Sequence, residues 1–284
     1  MDSESKITAR YLRILSYSVL AFTLAFLINN VLTVWVDWPG VKKIFSHYEL
    51  FGFKQKALQG SELNYGYLQI GIYLICIAGV ILYVFKTYSQ TLEHDSEILS
   101  KFSAYLVRSS FWAVFLVGVA DFIISFMVVE RLWEAIFSPE VKAFMVKAPE
   151  RITFIHFPII LGSFIIGYFT KSVGFIWLAV LVVLSEFVIV LSRFIFSYEQ
   201  AFQGDLVRFW YAALYLFASA YALIHEGHVR VDVLYSSFSE RKKAWTNSIG
   251  SALLGVPLCL IVIFYGLNGK ASIINGPVVA FEVT

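Results

Sequence analysis

Residues 173–191 read VGFIWLAVLVVLSEFVIVL, with Glu186 as the single charged side chain. A helix crossing about 30 Å of hydrocarbon needs roughly 20 mostly apolar residues. In that medium every backbone amide must be satisfied within the segment, so such a run spans as a helix. Working outward, similar runs occupy residues 15–35, 65–85, 111–129, 152–169, 206–224 and 249–267. No long apolar alternation of period two competes with them. The chain has 284 residues, 59% of them hydrophobic and 15% charged, with a mean hydropathy of +0.74. Soluble domains lie near 45–50% apolar and about 25% charged. The predicted fold class is therefore an all-α polytopic membrane protein with about seven transmembrane helices.

The net charge of +2 points away from nucleic acid. Cys76 and Cys259 lie far apart inside apolar runs and read as small buried hydrophobes, not as a disulfide or metal framework. The first apolar run is too long for a signal-peptide core and reads as a retained span. Thr170, Lys171 and Ser172 separate the fourth and fifth runs, which predicts a tight helical hairpin. Two loops are long enough for structure of their own. Residues 36–64 carry the turn Trp38-Pro39-Gly40 and then aromatics among lysines. In residues 130–151, Ser138-Pro139-Glu140 reads as an N-cap, a first-turn proline and a first-turn acid. That pattern predicts a short interfacial helix. Docking on a partner is the alternative for both loops.

Lysine and arginine are nearly balanced between alternate loops, so their bias alone sets no orientation. The densest group, Arg241-Lys242-Lys243, favours a cytoplasmic N-terminus. Asp121 and Glu186 sit mid-span, His156 near the start of the fourth span and Arg108 at the edge of the third. A carboxylate at that depth is protonated, paired or facing a polar cavity. It serves either an ion path or a helix–helix or subunit contact; with no evident mates in the chain, the contact is the preferred reading.

Residues 222–235, ALIHEGHVRVDVLY, concentrate charge between two apolar runs. His225 and His228 stand three apart, which fails the H-E-x-x-H spacing of a zinc helix. No facing pair of intramembrane histidines offers haem ligation. The plain reading is an interfacial connection in which Gly227 permits a change of direction. Ser237-Phe238-Ser239-Glu240 then fits an S-x-x-E capping box that starts a basic surface helix anchored by Trp245.

The stretch GHVRVDVLYSSFSERKKAW closely resembles the signature loop of the small permease subunit, DctQ-type, of TRAP (tripartite ATP-independent periplasmic) transporters. The matching positions are His228, Val229, Arg230, Val231, Asp232, Val233, Leu234 and Tyr235, then Ser239 and Arg241. Arg193 after the fifth run, and Asp205-Leu206 with Arg208 at the start of the sixth, also resemble the family's pattern. The resemblance covers about residues 173–284, a small-permease-like domain with three spans where the family typically has four. Residues 1–172 then form a four-span membrane extension of unknown role.

This resemblance implies a small membrane subunit of a secondary-active transporter that imports an organic anion, such as a carboxylate. Its implied partners are the large TRAP permease subunit, a periplasmic substrate-binding protein and membrane lipid, with no nucleic acid. The large permease holds the transport and ion sites, and this chain acts as scaffold. It also implies a multi-pass protein of the bacterial inner membrane with a cytoplasmic motif loop. His228, Arg230 and Asp232 are the expected structural positions of that loop. Two alternatives remain: a stand-alone transporter or channel using Asp121 and Glu186, and a membrane anchor or redox subunit. No nucleophile–base constellation, phosphate loop or metal quartet is found, so the chain is not read as an enzyme and no cofactor is expected.

Overall fold

The structure is a computed structural model that describes residues 3–53, 57–171, 175–198, 201–224 and 233–275. These residues are mostly helical, with no strand among them, and six helices within them are long and apolar enough to cross a membrane. They are Ile7–Trp35, Ser61–Lys86, Leu92–Val129, Ile152–Phe169, Ile176–Ile195 and Glu240–Gly266. The chain is an all-α polytopic membrane protein. The sixth expected run lies in a continuous helix, Ala201–Ile224. The expected hairpin between residues 169 and 175 includes 172–174, which lie outside the described residues.

The chain divides into two compact units. The first joins residues 1–95 to 232–284. It contains α1 (Ser3–Trp35), α2 (Val41–His47), α3 (Ser61–Lys86) and the first turn of α4 (Leu92–Val129). The second comprises residues 96–231. It holds the rest of α4, then α5 (Trp133–Ile136), α6 (Pro139–Val146), α7 (Ala148–Arg151), α8 (Phe157–Phe169), α9 (Phe175–Phe196) and α10 (Ala201–Ile224). The first unit is completed by α11 (Glu240–Gly250) and α12 (Val256–Gly266).

In the first unit α1 packs along α3. Tyr17 meets Tyr83 edge-on, with ring centroids 5.3 Å apart, and Phe22 meets Tyr73 at the same separation. One end of this pair is tied by Arg13, which is buried and pairs with Asp95. Its guanidinium also donates to the Thr87 carbonyl at 2.7 Å and the Thr87 hydroxyl at 2.9 Å. The other end is tied by Gln69, fully buried on α3. Its Oε1 accepts from the Gly40 amide at 2.8 Å, and its Nε2 donates to Thr33 Oγ1 at 3.1 Å. Both ends of the amide are thus satisfied, as a buried polar group requires. Gly40 has φ +81°, and a Cβ there would lie 3.0 Å from Thr33 Oγ1. Phe264 of α12 packs on Phe22 and Phe26 of α1, at 5.9 and 4.5 Å.

The second unit has a core of Phe111, Leu178, Leu206, Trp210 and Ala213. Leu206, Trp210 and Ala213 recur at helical spacing along one face of α10. Gly118 of α4 lets the Trp210 indole approach, since a Cβ there would fall 2.3 Å from its Nε1. A second contact joins α4 to α8. Tyr105 donates to the Phe164 carbonyl at 3.0 Å, Arg108 to the Gly167 carbonyl at 3.3 Å and Trp112 Nε1 to Thr170 Oγ1 at 3.2 Å. Ser163 and Gly167 are buried there, small residues of the kind that let membrane helices approach closely.

Two helices carry π-type turns, Ile152–His156 before α8 and Ser251–Gly255 before α12. Each is followed at the same spacing by a proline, Pro158 and Pro257. Proline removes an amide donor and crowds the preceding turn, and the wider turn absorbs both effects.

Several expectations are corrected. Arg241-Lys242-Lys243 do not sit on a separate surface helix: residues Glu240–Gly266 run as one long helix through the π turn. The capping box does not form. Ser239, not Ser237, is the N-cap, and Ser237 Oγ instead donates to the Leu234 carbonyl at 2.7 Å. The cysteines are unpaired but not buried: Cys76 is half-buried and Cys259 exposed on its apolar helix. The Ser138-Pro139-Glu140 start of α6 is observed.

Candidate functional site

The signature loop is described only in part. His228, Val229, Arg230, Val231 and Asp232 lie outside the described residues. From Val233 onward its geometry is visible. Tyr235 opens a 3-10 turn, Tyr235–Ser237, that delivers the chain to α11. The Tyr235 hydroxyl accepts from Asn247 Nδ2 at 2.8 Å, about two turns into α11. Lys243 Nζ lies 6.0 Å from the centre of the Tyr235 ring and 3.1 Å from Glu240. Tyr235 therefore clamps the loop's end along the first turns of α11 through a hydrogen bond and a cation–π contact. Arg241 and Lys242 project outward beside Trp245.

The other family-like positions fall at helix ends. Arg193 lies in the last turn of α9. Asp205 and Arg208 pair one turn apart on α10 at 3.3 Å, both well exposed.

Asp121 differs from the sequence expectation, which gave it no mate. Its Oδ1 lies 2.9 Å from His156 Nε2 and 3.4 Å from Arg151 Nη1. Arg151 and His156 are both buried, and Arg151 Nε also donates to the Met145 carbonyl at 2.9 Å. The π turn at Ile152–His156 sits between these two groups and shapes how both reach Asp121. The arginine supplies the counter-charge that a carboxylate needs at this depth, and the histidine supplies a further hydrogen bond. Sequence reading misses Arg151 because nothing local marks the last residue of the 130–151 segment as buried, where the structure ends α7 on it.

Glu186 contrasts with this. It is exposed on α9 between Val183, Phe187 and Val190, and makes no hydrogen bond or ion pair among the described residues. A carboxylate amid apolar side chains needs a partner from beyond these described residues, or a proton.

No curated protein and no solved structure matches the chain. A family model does, and it matches where the motif residues lie. Residues 178–280, from Leu178 in the α9–α10 core through the signature loop and α12, are similar to the family described as tripartite ATP-independent periplasmic transporters, DctQ component.

Proposed function

We propose that this chain is the small membrane subunit of a TRAP transporter that imports an organic anion, a carboxylate by class, and that it serves as scaffold for the large permease. It works as a transport component and not as an enzyme. The observation that carries this reading is the family match over residues 178–280. The exposed mid-span Glu186 supports a partner on physical grounds, because a second subunit can supply the group that the described residues do not. In this reading the large permease holds the substrate and ion sites, and a periplasmic binding protein delivers the substrate. The protein resides in the bacterial inner membrane with its motif loop in the cytoplasm. Residues 1–172 form a membrane extension to a small-permease-like domain of residues 173–284. His228, Arg230 and Asp232 are the structural positions of the loop.

Asp121 and its two partners form a closed charge arrangement, which favours a structural contact over an ion path of the chain's own. Co-expression of the tagged chain with a neighbouring large permease, followed by purification in mild detergent, tests the reading. A stoichiometric complex is expected, and the chain alone in liposomes is expected to transport nothing. A chain that purifies alone while the permease folds and transports without it would overturn the reading.

A further inference from the structure

We infer that the first compact unit holds a binding site for one anionic phospholipid. The site is a cavity of about 940 Å3 between α1, α2, α3 and the chain after α12. That is near the top of the range of about 300–1,000 Å3 that small-molecule sites occupy. Its wall changes character along α1. Phe22, Phe26, Asn29, Asn30 and Thr33 share one face at helical spacing, aromatic at first and then amide and hydroxyl. Ile70 and Tyr73 of α3 extend the apolar part. Lys42 and Lys43 of α2 line the same cavity, and no carboxylate does so among the described residues.

Two lysines call for an anion, and the aromatic wall beneath calls for hydrocarbon. A phosphodiester lipid supplies both in one molecule. The phosphate meets Lys42 and Lys43, and an acyl chain lies along Phe22, Phe26 and Tyr73. The length and apolarity of α1 and α3 place the aromatic part at acyl depth.

Native mass spectrometry of the full chain, purified in detergent, tests this with dioleoyl phosphatidylglycerol against dioleoyl phosphatidylcholine. One phosphatidylglycerol is expected to be retained with a preference of about tenfold or more, lost at high salt. K42Q/K43Q should reduce that preference to parity, and K42R/K43R should keep it. Ile70→Trp, which fills the apolar part, should expel the lipid with both lysines in place. Glycerol phosphate at millimolar concentration, the same anion without chains, should not displace it. Equal retention of both lipids by the unaltered chain would overturn the inference. So would an unchanged preference in K42Q/K43Q, or displacement by glycerol phosphate, which would mark a free-anion site.

Discussion

Gln69 and Asp121 show how much rests on single polar side chains in an apolar chain. Gln69 joins the amide of Gly40 to the hydroxyl of Thr33. Gln69→Leu removes the acceptor of a buried amide and should cost about 1–3 kcal/mol, read as a lowered thermal midpoint in detergent. An unchanged midpoint would mean that water reaches Gly40. Asp121→Leu leaves the buried Arg151 without its counter-charge, at a cost of about 3–5 kcal/mol. Adding Arg151→Met should recover much of that loss, and a double-mutant cycle on the thermal midpoint measures the coupling. Two additive losses would show that the pair contributes nothing. Neither arrangement was legible beforehand. Gln69 reads as one polar residue in a span, and Arg151 as a loop charge 30 residues from Asp121.

The helices themselves were largely legible, because hydrocarbon leaves the backbone few alternatives. Their ends were less so. The third run was expected from residue 111, yet α4 begins at Leu92. Glu93, Asp95 and Lys101 lower its hydropathy without ending the helix, and Glu97 pairs with Lys101 one turn on at 2.7 Å. How α8 meets α4 depends on Gly167, where a Cβ would lie 2.9 Å from the Ser109 Cα. Gly167→Ala should destabilise by about 1–3 kcal/mol, because backbone cannot move aside as a side chain can. Gly162→Ala on the same helix meets nothing within 4 Å and should be neutral or gain up to about 1 kcal/mol from helix propensity. Thermal unfolding of the two variants side by side checks this; equal effects would refute the close approach.

For the whole molecule, the proposed role places the partner contact outside the chain's own packing. Glu186→Leu should leave the thermal midpoint of the isolated chain unchanged or slightly raised, yet weaken its complex with the large permease. Retention of the complex at wild-type stoichiometry would remove Glu186 from that contact. Arg230→Ala and Asp232→Ala should lower assembly or uptake without altering the ion dependence of transport. The family signal was legible because it rests on contiguous side chains, from His228 to Arg241, and a local motif survives in sequence whatever surrounds it. Sequence by itself determined the membrane class, the positions of most spans and the likeness of residues 178–280 to the DctQ component. Periodicity and apolar length are properties of one segment at a time, set by the solvent that segment meets. Only the tertiary structure decided that residues 1–95 pack with 232–284. It also gave Asp121 its arginine and histidine, and opened a lysine-lined cavity beside α1. Those outcomes depend on which faces of near-uniformly apolar helices meet. With lipid on one side and side chains of similar apolarity on the other, the choice falls to a few small and polar residues whose partners lie far away in the chain.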